Sequence, residues 1–139
     1  MQLKLVGKKL TNTRPERGTY PYPFIKVLST KGGIELSGKA QNELKVTEGD
    51  YIGFQPIEDE SGNKGIAIYR GAKQDGALLN KANKVSSTLA YQALGGNKET
   101  IIVYELLINM SIESDGVVYI PLAKRDVVDK QVRTKAVKA

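Results

Sequence analysis

IELSGKAQNELKVTEGDYIGF, Ile34 to Phe54, recurs in altered form as KVSSTLAYQALGGNKETIIVY, Lys84 to Tyr104. Aligned without gaps, Ser37 falls on Ser87, Ala40 on Ala90, Leu44 on Leu94 and Ile52 on Ile102. Tyr51/Ile101, Phe54/Tyr104 and Ile57/Leu107 keep apolar character. A one-residue slip then aligns Gly65-Ile-Ala-Ile with Gly116-Val-Val-Tyr. The retained positions are those a core would need, so the chain reads as two related halves. Each half has strand runs around one helical turn. Ser37 and Ser87 (or Ser86) are the N-caps, because a serine hydroxyl can accept a bond from the free N–H groups of a first turn. Ala40 and Leu44 lie four apart on one helix face, and Gly95-Gly96 ends the second helix.

Working outward, Phe24 to Leu28 and Ile34 to Leu36 read as a hairpin across Ser29-Thr-Lys-Gly-Gly33. Tyr51 to Ile57 and Ile66 to Tyr69 read as a second hairpin around Glu58 to Gly65. Leu78-Leu79, Thr100 to Ile108 and Val117 to Ile120 supply the strands of the second half, with turns at Lys81 to Lys84 and Met110 to Gly116. Pro121 is expected to end the sheet. The fold class is therefore mainly β with short helices: duplicated β-β-α-β-β units forming one swapped-hairpin or double-psi-like barrel. The divisions are an N-terminal strand and Pro-rich arm at 1–23, half-barrels at 24–71 and 72–122, and a basic tail at 123–139, within a single compact domain. In the arm, Met1 to Gly7 alternates like a strand, and Thr11 to Pro23 is rich in turn formers. The tail is expected to be at most partly helical, since its valines are poor helix formers.

Composition narrows the chemistry. The chain has 139 residues, no His, no Cys and no Trp. That removes the usual general base, the thiolate nucleophile and the commonest metal ligands. Glu58-Asp-Glu60 lies at a hairpin tip and lacks the alternating ligands of a calcium loop. The glycine pairs match no phosphate loop or dinucleotide fingerprint. Ser86-Ser87-Thr88 beside Lys84 reads as a helix cap more simply than as a nucleophile. No enzyme activity, cofactor, metal or small-molecule substrate is expected. The N-terminus lacks the apolar core of a signal peptide and no apolar run is long enough for a membrane span, so a cytoplasmic protein without a membrane partner is expected.

The net charge of +6 is unevenly placed. Residues 1–33 carry seven basic side chains against Glu16 alone, and residues 121–139 carry six against Asp126 and Asp129. Between them the balance is four basic to seven acidic over 34–71, and four to five over 72–120. An acidic body with basic extremities suits a polyanion; solvated Lys-rich termini are the plainer reading. In the arm, Arg14 and Arg17 stand beside Tyr20 and Tyr22, a pairing of cations and stackable rings that nucleic-acid binders use. The other reading is an edge loop whose tyrosines pack on the body.

At Ile34-x-Leu-Ser-x-x-Ala-x-x-x-Leu44-x-Val-x-Glu-Gly-Asp50-Tyr-Ile-x-Phe54, followed by a hairpin and Ile66-Ala-Ile-Tyr-Arg70, the sequence resembles the AbrB/MazE type of swapped-hairpin barrel. The likeness covers Phe24 to Arg70 well and Gly76 to Leu122 loosely, as in a fused pseudo-dimer. It implies DNA binding through the first hairpin, here Lys26 and Lys31, with Lys39 at the helix start and Lys81 and Lys84 in the second copy. The family's hairpin arginine and its Val-Ile-Pro-Lys helix start are missing, and lysine lacks the bidentate fork that reads guanine edges. Phosphate-dominated, weakly specific binding follows, to DNA more than RNA, by a transcription or replication accessory. The tail adds Lys124, Arg125, Lys130 and Arg133. The style is that of a small bacteriophage protein, which would act in the host cytoplasm. The alternative is a structural or interaction protein, such as a virion component or a module acting on a host protein, with a protein partner or a homo-oligomer.

Overall fold

The computed structural model describes residues 20–129. Arg14, Arg17, the strand expected at 1–7, Lys130 and Arg133 lie outside these. The described chain runs β1 (Phe24–Val27), β2 (Gly33–Leu36), α1 (Gly38–Leu44), β3 (Tyr51–Glu58), β4 (Lys64–Gly71), β5 (Ala77–Leu78), β6 (Lys84–Ser86), α2 (Thr88–Ala93), β7 (Thr100–Leu106), a 3-10 turn (Ile108–Met110), β8 (Ile112–Ser114) and β9 (Val117–Asp129). The strands are antiparallel in the order β5-β3-β4-β9-β7-β1-β2-β6, with β8 on β9. The two ends of that order meet through Asn80 N–H donating to the Lys84 carbonyl at 2.9 Å, so the sheet curls into a nearly closed barrel. Closure covers strand edges that would otherwise be exposed to other chains.

The core follows from strand alternation. Ile25, Val27, Ile34, Leu36, Ile52, Ile68, Val85, Ile102, Leu106 and Ile120 point inward, and the helices close over them with Ala40, Leu44, Ala90, Tyr91 and Leu94. The pairing respects the halves. Shifting by the interval between Ser37 and Ser87 carries the β3–β5 pair Ile52↔Ala77 onto Ile102↔Val27, the pair joining β7 to β1. The same shift turns Ile34↔Val85 of β2–β6 into Glu35↔Lys84, the next rung of that ladder. β4 meets β9 at Ile68↔Ile120. The strand order therefore maps onto itself when the halves are exchanged, while the β3–β4 register (Ile52↔Arg70) differs from that of β7–β9 (Ile102↔Val127), and β8 has no counterpart among the described residues. The one-residue slip read from the sequence fails by parity. Tyr119 lies on the outer face against Tyr69, with ring centroids 4.8 Å apart, and the inward counterpart of Ile68 is Ile120.

Three segments depart from the sequence reading. Lys84–Ser86, taken mostly as turn and cap, is strand β6, because Ile34 needs an inward partner and Val85 supplies it. Ile112–Ser114, taken as turn, is β8, hydrogen-bonded to Val117–Tyr119. The sheet also does not stop at Pro121: β9 runs 13 residues from Val117 to Asp129, so 123–129 is strand rather than tail. Proline lacks an N–H, but at Pro121 the strand exchanges partners, from β4 at Ile120 and Pro121 to β7 from Leu122 onward. The Pro121 carbonyl still accepts from Leu107 N–H at 2.8 Å. Val127 and Val128, poor in helices, suit the strand.

Candidate nucleic-acid interface

Alternation along β1 turns Ile25 and Val27 inward and leaves Phe24 and Lys26 on the outer face. Antiparallel register partners share a face, so Lys26 is level with Val103 on β7, and Val103 with Asp126 on β9. Val103 is fully buried without belonging to the interior core. The chain preceding β1 lies over this stretch. The Tyr20 ring packs edge-on against Phe24, with centroids 5.1 Å apart, and stacks on Tyr22 at 5.6 Å. Tyr20 Oη donates to Asp126 Oδ2 at 2.8 Å, joining residues far apart in sequence. Desolvation, then the hydrogen bond and negative charge of Asp126, push the Tyr20 phenol up to about 12, so it is a neutral donor at ordinary pH. Tyr22 is also raised, by desolvation first and then by the carboxylate of Glu105.

A β-bulge sits beside this cluster. Val103 pairs with Asp126 and Tyr104 with Lys124, leaving Arg125 as the extra residue on β9. Arg125 Nε donates to Glu105 Oε1 at 2.7 Å. Lys26 Nζ stands 5.7 Å from the centre of the Phe24 ring. Tyr20, Tyr22, Lys26 and Arg125 are thus brought to one region of the barrel wall, interleaved with Glu105 and Asp126, whereas Lys124 pairs with Tyr104, itself paired with inward Ile25, and so is on the opposite face of β9.

The residues suggested by the family resemblance lie differently. Register places Lys84, Glu35, Lys26, Val103 and Asp126 in one row across β6, β2, β1, β7 and β9. Lys26 and Lys84 therefore both flank Glu35, and the row alternates in sign. Lys31 is exposed in the β1–β2 turn, whose Gly32 carbonyl accepts from Ser87 N–H at 2.9 Å at the start of α2. Lys39 is in the first turn of α1, and Lys81 in the β5–β6 turn, where the Asn83 carbonyl accepts from Leu36 N–H at 2.8 Å. These lysines bracket the β2–β6 seam without forming a continuous basic stripe. Asp59, in the carboxylate run at the β3–β4 tip, accepts from Asn63 and Ser61 N–H at 2.8 and 2.9 Å, bonds that hold its carboxyl below the usual range.

The wider charge distribution is clearer. Of 21 basic residues, nine lie outside the described barrel with a single acid, Glu16, so residues 20–129 hold twelve basic side chains against fourteen acidic. Both flanks start from the same part of the wall, since Tyr20 touches Asp126 and β9 ends at Asp129. Three residues of strand span about 10 Å. The sequence reading missed Lys45 and Arg70, which meet at the end of α1, where Arg70 Nη1 donates to the Lys45 carbonyl at 3.2 Å. The available signal was the alignment of Lys45 with Gly95. Compared with protein-family models, curated proteins and solved structures, the chain matches none.

Proposed function

We propose that this chain is a non-catalytic nucleic-acid-binding protein, acting on DNA more than RNA through phosphate-dominated, weakly sequence-specific contacts, as an accessory to transcription or replication. The observation that carries the reading is the bond between Tyr20 and Asp126, which joins the described residues next to the two basic flanks. The barrel itself is slightly acidic, and the Tyr20–Asp126 bond brings the starts of both basic segments to one part of its wall. Polyanion attraction is additive over such charges and needs no base-reading fork. Kinship to AbrB/MazE-like swapped-hairpin barrels, and an origin in a bacteriophage, belong to the same proposal; the exchange symmetry of the strand order supports the first. Arg14, Arg17, Lys130 and Arg133 are assigned the main phosphate contacts, with Tyr22, Lys26 and Arg125 along the wall and Lys124, on the opposite face of β9, contributing less. Lys31, Lys39, Lys81 and Lys84 contribute less, two of the wall and seam lysines being set against Glu35.

The test is fluorescence anisotropy with single- and double-stranded oligonucleotides over a range of salt. The full chain should lose affinity steeply as salt rises. Replacing Arg14, Arg17, Lys130 and Arg133 together by Gln should flatten the log–log slope by roughly 3 to 4, at about 0.9 per phosphate contact on duplex. Failure to retain any oligonucleotide at low salt refutes the proposal.

A further inference from the structure

A cleft of about 410 Å³ lies between the end of α1, β4 and the β8–β9 hairpin. Leu44, Ile108, Val117, Val118 and Ile120 line it, with Glu43, Lys45 and Arg70 among its polar residues. Arg70 is committed elsewhere: Nη2 is 3.6 Å from Asp50 and Nη1 bonds the Lys45 carbonyl. Glu43 is the one carboxylate of the lining. Among the described residues, the Lys45 ammonium has no carboxylate within ion-pair distance.

Lys45 is also conformationally anomalous. It closes α1 at φ 57, ψ 46, in the left-handed region. Its N–H bonds to Asn42 O at 3.2 Å, and Val46 N–H to Gln41 O at 3.0 Å, the Schellman pattern that glycine usually completes. α2 closes with the same two bonds, Gly95 N–H to Gln92 O and Gly96 N–H to Tyr91 O, and there the left-handed residue is a glycine with φ 83. Among the described residues the other non-glycine residues at positive φ are Asn83 and Asp115, residue types that tolerate it. One half of the molecule thus places a strained lysine where the other places an unstrained glycine, and that lysine lines the cleft. Strain retained at a ligand-sized cavity points to a use for the side chain.

The cleft has an apolar floor of Leu44, Ile108, Val117, Val118 and Ile120 and, in Lys45, a cation in no ion pair among the described residues, so it fits an apolar group carrying a carboxylate. Its wall continues into a free strand edge. Ser111 lines the cleft, β8 follows at Ile112, and among the described residues β8 pairs with β9 alone. Ile112, Glu113 and Ser114 are all exposed, as are Met110 and Val118. Backbone groups along such an edge can pair with an added extended strand. We infer that this cleft binds the C-terminal end of an extended peptide from a protein partner: the peptide adds to β8, its last apolar side chain enters the cleft, and its terminal carboxylate meets Lys45. This inference stands apart from the nucleic-acid reading, with which it shares no residue.

The test titrates the full chain with an N-terminally fluorescein-labelled hexapeptide of alternating threonine and valine ending in leucine, made as the free acid and as the C-terminal amide. The free acid should bind saturably and the amide at least about ten-fold more weakly. Lys45→Gly should reduce the acid's affinity to that of the amide while raising the melting temperature by a few degrees, because it removes the strain. Val118→Asp should abolish binding of both forms. Equal binding of acid and amide overturns the inference, as does unchanged binding by Lys45→Gly or no binding of either peptide at millimolar concentration. Decanoate competing as tightly as the peptide overturns the strand addition.

Discussion

The two halves of the barrel share their strand order and the plan of their capped helices, and differ in the residues left over once that plan is satisfied. Ser37 and Ser87 both accept from the N–H three residues on, at 3.1 and 3.2 Å. Ala40 and Ala90, Leu44 and Leu94, and Ile52 and Ile102 are all buried. Against this, Lys45 stands opposite Gly95 and Gln41 opposite Tyr91, and the polar β3–β4 tip is replaced by a 3-10 turn and β8 carrying exposed Met110 and Ile112. Common positions are held by packing, which penalises change in either half equally. The differing positions lie where packing leaves the choice open, and these are where binding chemistry can be added.

The largest test of the comparison is in the core. Ile52→Ala and Ile102→Ala remove equivalent side chains, 1% and 5% exposed, from one cluster. Each should destabilise the protein by about 2–5 kcal/mol in a urea titration, with the two values close together. A strongly unequal pair would show that the halves share topology without sharing packing.

A smaller effect separates the caps. Ser37 Oγ accepts two N–H bonds, from Ala40 and, at 3.1 Å, from Phe24 at the start of β1, whereas Ser87 Oγ accepts from Ala90 alone. Ser87→Ala should therefore cost about 1 kcal/mol and Ser37→Ala about 2, since the latter also strips a partner from the Phe24 amide. Equal costs would mean that water replaces the hydroxyl at Phe24.

The same distinction between local and distant information decides what the sequence discloses. The caps, the helix faces and the strands flanking them are legible because each is set by neighbours within a few residues, as with Ser37, Ala40 and Leu44. Strand β6 is short, and its assignment depends on Ile34 lying across from Val85. The passage of β9 through Pro121 depends on a change of partner that only the assembled sheet defines. The candidate interface behaves likewise. Tyr20 and Tyr22 are conspicuous in the sequence, but the bond from Tyr20 to Asp126 and the pairing of Arg125 with Glu105 join distant segments. Lys26 and Lys84 read as free cations until register sets both beside Glu35.

The helix ends give the next effect. Lys45→Gly should stabilise by up to about 1 kcal/mol, the cost of an L side chain in the left-handed region less the greater freedom of glycine in the unfolded chain. Gly95→Ala should destabilise by about 1 kcal/mol for the converse reason. An added Cβ there has room, its nearest neighbour being Ile102 Cδ1 at 3.7 Å, so the cost is conformational and not steric. Thermal denaturation of the two variants in parallel reads the contrast. If Lys45→Gly instead loses stability, the lysine is held by its contacts and the argument from strain fails.

The smallest effect concerns Gln41 and Tyr91, equivalent positions solved in opposite ways. Gln41 is partly buried, and its Nε2 donates to the Leu36 carbonyl at 3.2 Å. Tyr91 is 5% exposed, its ring lies against Gly96, and its hydroxyl is buried without a hydrogen-bond partner. A Cβ at Gly96 would fall 2.4 Å from that ring, so the glycine makes the space the tyrosine occupies. The ring contributes through apolar burial, while an unpaired hydroxyl costs about 1–3 kcal/mol to desolvate. Tyr91→Phe keeps the ring and removes that cost, so chemical denaturation should show no loss of stability and a gain of up to about 1 kcal/mol. A loss above about 1 kcal/mol would show that the hydroxyl is hydrogen-bonded in solution, and the second half would then resemble the first at this position in chemistry as well as in place.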